Sequence, residues 1–250
     1  MSRAEPRRTF VPEEVPVREA ATVALIRDAR VGRGVEVFLQ HRVATMQFAA
    51  GMSVFPGGGI EPRDYHGTRR WRGPEPGWWA ERFGIDDDRA AAAVRGVARE
   101  LFEETGVLLA EPESGPGGAG AAPTELPGAD ERRALDAGEG DLDTLLAAHG
   151  LVLSAHLLRP WDRWTTPVGP PRRYDTLFFV AALPEGARPD GGTTEARATE
   201  WIRADDAVQA GILGRLGMLR PTLDVLSDLA AASDVDEVLG TARTITPGGN

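Results

Sequence analysis

The chain has 250 residues, of which 42% are hydrophobic, so it is long enough to bury a sizeable core. Its formal net charge of -10, from 28 basic and 38 acidic residues, disfavours nucleic acid and anionic membranes as main partners. It has no cysteine and no lysine, which excludes disulfides, thiolate chemistry, Schiff-base lysines and a P-loop lysine.

The N-terminus is polar and lacks the features of a targeting segment. Met1–Glu19 has no apolar stretch of the kind that a secretory signal needs, and no apolar run reaches the roughly 18 residues of a membrane span. We expect a tail over residues 1–18 and one domain over residues 19–245, with insertions at about 65–88 and 111–150. A cytoplasmic location without a membrane partner is predicted.

The first half of the chain predicts a hairpin, an irregular excursion and a long helix. Ala20–Arg27 and Val35–Gln40 are apolar runs around a glycine-containing turn, which is typical of a β-hairpin. The stretch from Arg63 to about Asp88 carries three tryptophans among prolines and glycines, and we expect a loop or a short helical excursion there. Asp88–Gly106 predicts the clearest helix, because acidic residues stand at its start and a glycine at its end.

The second half predicts a linker and then a mixture of helices and strands. Glu111–Gly128 is rich in Gly, Pro, Ala and Ser, which favours a surface linker. Strands are expected at Leu151–Leu158 and Thr176–Leu183, joined through Trp161–Asp175. The remaining elements are a strand at Thr199–Arg203 and helices at Asp130–Gly150, Ala204–Gly214 and Arg220–Ala232. This order predicts an α/β fold with a mixed sheet packed between helices.

Three acidic residues cluster on the predicted long helix. Glu100, Glu103 and Glu104 are spaced i, i+3, i+4, so their side chains share one face. They lie toward the helix C-terminus, where the macrodipole disfavours negative charge, so helix stability does not explain them. Mg²⁺ prefers such oxygen ligands and shares them with water and substrate phosphate. The alternative is a solvated acidic face.

A glycine-rich turn precedes this helix. Phe55-Pro56-Gly57-Gly58-Gly59 contains three successive glycines, which allow positive φ and a close approach of the backbone to a ligand. The turn alone is also compatible with an ordinary loop. The glycines followed by the acidic helix form a much more specific pattern.

In this order the two elements resemble the box of the Nudix hydrolase family, which reads Gly, five residues, Glu, seven residues, then Arg-Glu-aliphatic-x-Glu-Glu-x-Gly-aliphatic. Gly58 matches the first glycine. The second half matches without substitution at Arg99, Glu100, Leu101, Glu103, Glu104, Gly106 and Val107. Asp64 stands where the family usually has its first Glu, and 34 residues rather than seven separate Asp64 from Arg99.

Further segments resemble one branch of this family, the coenzyme A diphosphatases related to the peroxisomal ones. The resemblance extends over roughly residues 20–235. The similar segments are His41-Arg42, Gly51-Met52-Ser53-Val54-Phe55-Pro56-Gly57-Gly58, Arg163-Trp164-Thr165-Thr166-Pro167 and Arg172-Arg173-Tyr174-Asp175-Thr176.

The resemblance implies a Nudix-type α/β/α sandwich with a mixed β-sheet and extra C-terminal helices. It also implies a metal-dependent hydrolase that cleaves the pyrophosphate of a nucleoside diphosphate linked to another group, with coenzyme A or acyl-coenzyme A as a candidate substrate. Mg²⁺ or Mn²⁺ would be the cofactor. The implied ligands are Glu100, Glu103 and Glu104.

Other site roles follow from the same resemblance and from residue chemistry. Arg99 is expected to orient a carboxylate, and Glu103 is either a further ligand or the base that activates water. Arg42 and Arg173 are candidate phosphate clamps, since guanidinium groups match phosphate oxygens. Gly57, Gly58 and Gly59 are expected to border the substrate.

Several alternatives stay open at this stage. Glu195 or Glu200 is a second candidate for the base, and the tryptophans at 71, 78, 79 and 164 are candidates for stacking on an adenine. The partner is expected to be a small nucleotide or coenzyme A substrate, and a homodimer is one candidate assembly. The rival function is a catalytically silent Nudix-fold sensor, which the intact glutamates disfavour.

Overall fold

A computed structural model describes residues 15–43, 49–67, 71–113, 126–192, 196–241 and 243–245, which form ten strands and eight helices. The strands are β1 (Val17–Asp28), β2 (Val35–Arg42), β3 (Ser53–Val54), β4 (Gly57–Gly59), β5 (Trp71–Arg72), β6 (Ala110–Pro112), β7 (Leu151–Ser154), β8 (Leu158–Thr165), β9 (Arg173–Ala182) and β10 (Ala196–Arg203). The helices are α1 (Pro62–His66), α2 (Pro76–Phe83), α3 (Asp87–Thr105), α4 (Ala129–Asp136), α5 (Leu142–Ala148), α6 (Ala204–Ile212), α7 (Arg220–Ala230) and α8 (Val235–Gly240).

The main sheet is mixed, as predicted. Its strand order is β10-β2-β1-β9-β8, with β3 added to β2 and β4 added to β1. β1 and β9 are parallel over ten residue pairs, and every other pairing in this sheet is antiparallel. The predicted hairpin is confirmed, since Ile26 in β1 pairs with Val37 in β2.

Helices cover both faces of this sheet. Val23, Leu25 and Phe38 pack on one face in a core shared with α2 and α3. Ala24, Ile26 and Val37 pack on the other face with α6, α7 and α8. Successive strand residues therefore face opposite helical layers, which is the alternation expected of an α/β/α sandwich.

The long helix α3 has clear start and stop signals. The Asp86 side chain accepts a hydrogen bond from the Arg89 amide at 2.8 Å and caps the N-terminus. Gly106 ends the helix in the left-handed region, with φ 73°, and its amide donates to the Phe102 carbonyl. The helix is buried on nearly every side, so its polar residues must find partners inside the protein.

The excursion before α3 forms two helices and a short strand. α1 carries Asp64, β5 pairs with β7 in a separate three-stranded sheet, and α2 packs along α3. Trp79 on α2 is fully buried against Phe179 of β9, with ring centroids 5.8 Å apart. The insertion thus adds buried side chains to the core between the main sheet and α3.

The expected connection Trp161–Asp175 is wrong in part. Leu151–Leu158 is broken by a 3-10 turn at Ala155–Leu157, and a second strand, β8, follows. Pro160 and several charged side chains made this strand hard to recognise. A bulge beside Pro160 interrupts the ladder, and Arg163 bonds across to Asp175 of β9 at 2.7 and 3.0 Å.

The linker predicted at Glu111–Gly128 is also shorter than expected. Residues 110–112 form β6, which pairs with β7, and Gly128 is the N-cap of α4. Polar Glu111 belongs to this strand because its carboxylate binds Arg72 at 2.8 Å and accepts a hydrogen bond from Ser154 at 3.0 Å. Residues 114–125 lie outside the described part of the chain.

Smaller differences concern the ends of the chain. β1 begins inside the predicted tail, whereas residues 1–14 lie outside the described ranges. The helix α8 was not predicted. Among the described residues, no helix combines the length and the hydropathy that crossing a bilayer requires.

Candidate active site

The glycine turn occupies a gap where the main sheet splits. β1 pairs with β2 at one end and with β4 at the other, where Thr22 lies opposite Gly57. Gly57 has φ 151°, and a Cβ there would lie 2.5 Å from the Ala21 carbonyl oxygen. Glycine is therefore required at position 57 for β4 to approach β1.

Two of the three glutamates face this turn directly. The Gly57 amide donates to Glu104 Oε2 at 2.9 Å. The Glu100 carboxylate lies against Gly58, where an added Cβ would meet its atoms at 2.5 to 2.7 Å. The sequence elements that the box pattern predicts to be neighbours, the turn and the acidic helix, are thus in contact despite the 34 intervening residues.

Arg99 is the centre of a buried ionic network. Its Nε and Nη2 lie 3.0 Å from the two carboxylate oxygens of Asp64, and Nη2 also donates to the Gly59 carbonyl at 3.0 Å. Nη1 donates to Glu100 at 2.9 Å and to Glu103 at 2.8 Å. This bidentate pair with Asp64 joins α1 to α3, and it thereby brings the two halves of the box pattern together across the insertion.

Charge and burial act in opposite directions on Arg99. Burial alone would lower its pKa, but the hydrogen bonds to Asp64 and the charges of Glu100, Asp64 and Glu103 together raise it. The guanidinium therefore stays charged. It contacts three carboxylates, those of Asp64, Glu100 and Glu103.

Glu103 lies between two arginines. Its Oε2 accepts from Arg99, and its Oε1 accepts from Arg63 Nη2 at 3.2 Å. Burial nevertheless raises the pKa of Glu103 to about 7, and burial also raises the pKa of Glu100. Glu103 and Glu104 are each only 7% exposed, so a solvated acidic face is contradicted.

The carboxylates suit a hard divalent cation but do not form a ready cage. Within the described ranges, no three acidic or histidine side chains are close enough to enclose an ion. Glu100 and Glu104, one helical turn apart, both meet the glycine turn, and the burial of Glu100 disfavours its unneutralised charge. Mg²⁺ commonly takes one or two protein carboxylates and fills its shell with water and phosphate, so these residues fit such an ion.

The two proposed phosphate clamps lie on strands near the turn. Arg42 ends β2, and its amide donates to Met52 at 2.9 Å. Arg173 begins β9 opposite Val17, three positions along β1 from the pair of Ala20 with Gly59, a separation of roughly 10 Å at the usual rise per residue. The Nε of Arg173 donates to the Thr166 carbonyl at 3.1 Å.

Of the two alternative bases, Glu200 faces away from the acids of α3. Glu200 pairs with His41 at 2.8 Å, and the other ring nitrogen of His41 lies 2.9 Å from the Ser53 hydroxyl. Glu200 is next in β10 to Trp201, which packs edge-on against Phe38 on the sheet face that α3 covers, so Glu200 points to the opposite face. Glu195 lies outside the described residues.

The tryptophans are mostly structural. Trp79 is fully buried, so the stacking hypothesis is wrong for this residue. Arg82 lies 3.6 Å above the ring of Trp78, and the indole of Trp71 donates to the Pro74 carbonyl at 2.7 Å. Trp164 packs partly buried against the second core.

Two residues of the network were not singled out by sequence reasoning. Asp64 was noted only as a departure from the family pattern, and Arg63 was not considered. The feature that could have identified them is their position, since both follow the glycine turn within the first half of the box pattern. Their partners were not readable, because Arg63 also bonds the carbonyls of Leu135 and Gly140, which lie over 70 residues away.

The similarity to Nudix hydrolases is found among solved structures and curated proteins. No family model matches the chain. A crystal structure of a NUDIX hydrolase from Alicyclobacillus acidocaldarius superposes with a TM-score of 0.74 at 30% sequence identity, covering 92% of this chain and 99% of that one.

Curated relatives are similar over part of their length. The acyl-coenzyme A diphosphatase NUDT19 of Gallus gallus is 30% identical over 208 residues, covering 66% of this chain and 55% of the relative. NUDT19 of Homo sapiens is 28% identical over 244 residues, covering 81% and 63%. The chain thus spans less than two thirds of these relatives. Its near-complete match to the bacterial structure and its closed glycine-and-glutamate box establish that it belongs to the Nudix hydrolase family.

Proposed function

We propose that this chain is a diphosphatase that hydrolyses the pyrophosphate bond of a nucleoside diphosphate linked to another group, with acyl-coenzyme A as the favoured substrate. The observation that carries the proposal is the contact of Glu100 and Glu104 with the Gly57–Gly58 turn. The substrate class is supported by the two similar proteins named acyl-coenzyme A diphosphatase.

Glu100 and Glu104 are the proposed ligands of Mg²⁺ or Mn²⁺, and Glu103 is a further ligand or the base. A bound divalent cation would neutralise phosphate oxygens and orient the attacking water. Arg99 keeps Glu100 and Glu103 in fixed orientations through its bonds to both. The negative charge of the acids is thereby concentrated beside β4. Phosphoryl chemistry needs little covalent participation by the protein, so positioned charges of this kind are its main contribution.

The glycine strand supplies the space for substrate. Because Gly57, Gly58 and Gly59 have no side chains, a pyrophosphate can approach the backbone beside the carboxylates. Arg42 and Arg173 are proposed to bind the outer phosphates, and their positions on β2 and β9, on either side of β1, allow a long substrate to lie across the end of the sheet. A cytoplasmic location and a homodimer remain predictions.

A substrate panel with Mg²⁺ and Mn²⁺ tests this function. The panel contains coenzyme A, acyl-coenzyme A, NADH, ADP-ribose and diadenosine polyphosphates, and Glu104→Gln serves as the matched inactive variant. We expect acyl-coenzyme A to be cleaved to adenosine 3′,5′-bisphosphate and acyl-phosphopantetheine, with turnover in the variant lower by about two orders of magnitude or more. Cleavage of another compound alone would reassign the substrate, and no cleavage at all would favour the silent sensor.

A further inference from the structure

We propose that Arg63 is a positioning residue that couples the α4–α5 segment to Glu103 on the acidic helix. This inference rests on the proposed function, because the importance of Glu103 depends on it. Arg63 lies in α1 beside Asp64, and its position in the box is the one feature of the sequence that marks it.

The guanidinium of Arg63 has partners just before α1, in the α4–α5 segment and on α3. Its Nε donates to Glu61 at 2.6 Å, just before α1. Its Nη1 donates to the carbonyl of Leu135 in α4 at 2.7 Å and to the carbonyl of Gly140, between α4 and α5, at 3.2 Å. Its Nη2 donates to Glu103 Oε1 at 3.2 Å. The Arg63 side chain is 15% exposed and that of Glu103 is 5% exposed, so the bond between these two is formed largely away from water.

The orientation of Glu103 depends on this arginine. Arg99 holds one carboxylate oxygen and Arg63 holds the other, so the plane of the carboxylate is fixed at both ends. Without Arg63, Oε1 would lose its partner in a side chain that is only 5% exposed. A buried carboxylate in that state rotates toward another donor or takes up a proton.

The α4 end that anchors Arg63 is itself fixed to α3. Arg132 on α4 donates to the Glu103 carbonyl at 2.9 Å and forms a fork with Asp190 at 2.9 and 3.0 Å. The Asp190 amide donates in turn to the Thr105 carbonyl at 2.9 Å. The backbone of Glu103 is thus held by α4, and its carboxylate is held by an arginine that α4 orients. The inserted segment therefore acts as a brace for one acid.

Steady-state kinetics of Arg63→Gln test the positioning role. A small displacement of a reacting group can lower the rate by up to about a hundredfold, so we expect kcat to fall about tenfold or more with KM changed less than about threefold. The matched control is Arg133→Gln, which removes an exposed arginine of α4 whose partner is Asp130. The control should leave kcat and KM unchanged. An unchanged kcat in Arg63→Gln, or a loss seen only in KM, would overturn the inference.

A double-mutant cycle in metal-free buffer tests the Arg63–Glu103 link without relying on turnover. Urea unfolding is measured for wild type, Arg63→Gln, Glu103→Gln and the double variant. Contacting residues are coupled, so we expect the effects on the unfolding equilibrium constant to depart from independence by about threefold or more. Additive effects would overturn the link. An active wild type with additive effects refutes only this inference, whereas a wild type inactive on the whole panel refutes the proposed function and the inference with it.

Discussion

At the scale of single residues, the contact between Gly58 and Glu100 explains why the sequence motif has a glycine at this position. The Glu100 carboxylate occupies the space in which a side chain at position 58 would stand. The adjoining Gly59 has room, since a Cβ there would meet only the Glu19 carbonyl oxygen at 3.9 Å. Two neighbouring glycines of one strand therefore have different requirements.

We predict that Gly58→Ala weakens Mn²⁺ binding and lowers turnover by about tenfold or more, because the new methyl group displaces Glu100. Gly59→Ala is the matched control for Mn²⁺ binding and should keep the Mn²⁺ affinity within about twofold, because 3.9 Å is an ordinary contact. Calorimetric titration and initial rates measure the two variants. Equal Mn²⁺ affinities of the two variants would show that the contact of Glu100 with position 58 is unimportant for metal binding.

The spacing of acids could be read from the sequence at this scale, and their partners could not. Helical periodicity places Glu100, Glu103 and Glu104 on one face. It gives no reason for Glu103 to lie between Arg63 and Arg99, because one arginine reaches it from another element. The wrong assignment of Trp79 has the same cause, since residue type does not reveal which core a side chain enters.

At the scale of elements, the bond between Asp64 and Arg99 holds α1 against α3. Both side chains are almost fully buried, at 3% and 1% exposure, and their geometry is two-pronged. Removing Asp64 leaves Arg99 paired with Glu100 and Glu103, but it takes away the carboxylate bound to Nε and Nη2, and an unmade hydrogen bond of a buried charged group is costly.

We therefore expect Asp64→Ala to lower the free energy of unfolding by about 1–3 kcal/mol. Asp236→Asn, which alters an exposed acid on α8, should change it by less than about 0.5 kcal/mol. Urea unfolding in metal-free buffer measures both. A loss below about 1 kcal/mol for Asp64→Ala would mean that α1 is held by other contacts.

Elements with local signals were predictable, and those defined by distant partners were not. Asp86 and Gly106 are residue types that commonly begin and end helices, so the ends of α3 could be predicted from the sequence. β8 carries Pro160 and charged residues, and it is stabilised as a strand by Arg163 bonding across to Asp175. Likewise β6 depends on Arg72 and Ser154, which lie on other strands of the small sheet.

At the scale of the whole molecule, Asp175 connects the sheet to the helical layer. It accepts hydrogen bonds from Arg163 of β8 at 2.7 Å and from Arg89 of α3 at 2.8 Å. Arg163 also caps α2 through the carbonyls of Phe83 and Gly84. The two loosely matching segments around residues 163 and 175 thus have a structural role in this fold.

This cluster predicts an acid-dependent part of the stability. Burial would raise the pKa of Asp175, but the bonds from Arg163 and Arg89 outweigh it and lower the pKa to about 2. A depressed folded-state pKa contributes stability that is present above the unfolded value of about 3.9 and is lost as the pH falls through about 2. Asp175→Asn should therefore be less stable at pH 7 and approach wild type between about pH 4 and pH 2. Urea unfolding across that range measures the difference, and a constant difference would contradict the assignment.

The strand order was beyond prediction from the sequence. β1 changes partner from β2 to β4 along its length and pairs in parallel with β9, which is about 150 residues away. Apolar runs indicate that strands exist, but not which strands pair. The family resemblance supplied the α/β/α architecture that periodicity alone left as a mixed sheet between helices.

The most direct measurement is a calorimetric Mn²⁺ titration of wild type and Glu104→Gln. Glutamine keeps the shape of the side chain and its acceptor for the Gly57 amide, so stability in metal-free buffer should be nearly unchanged. Loss of one charged ligand should weaken Mn²⁺ binding about tenfold or more. If the variant binds Mn²⁺ as tightly as wild type, the ion is held elsewhere and the assignment of the site to Glu100 and Glu104 is wrong.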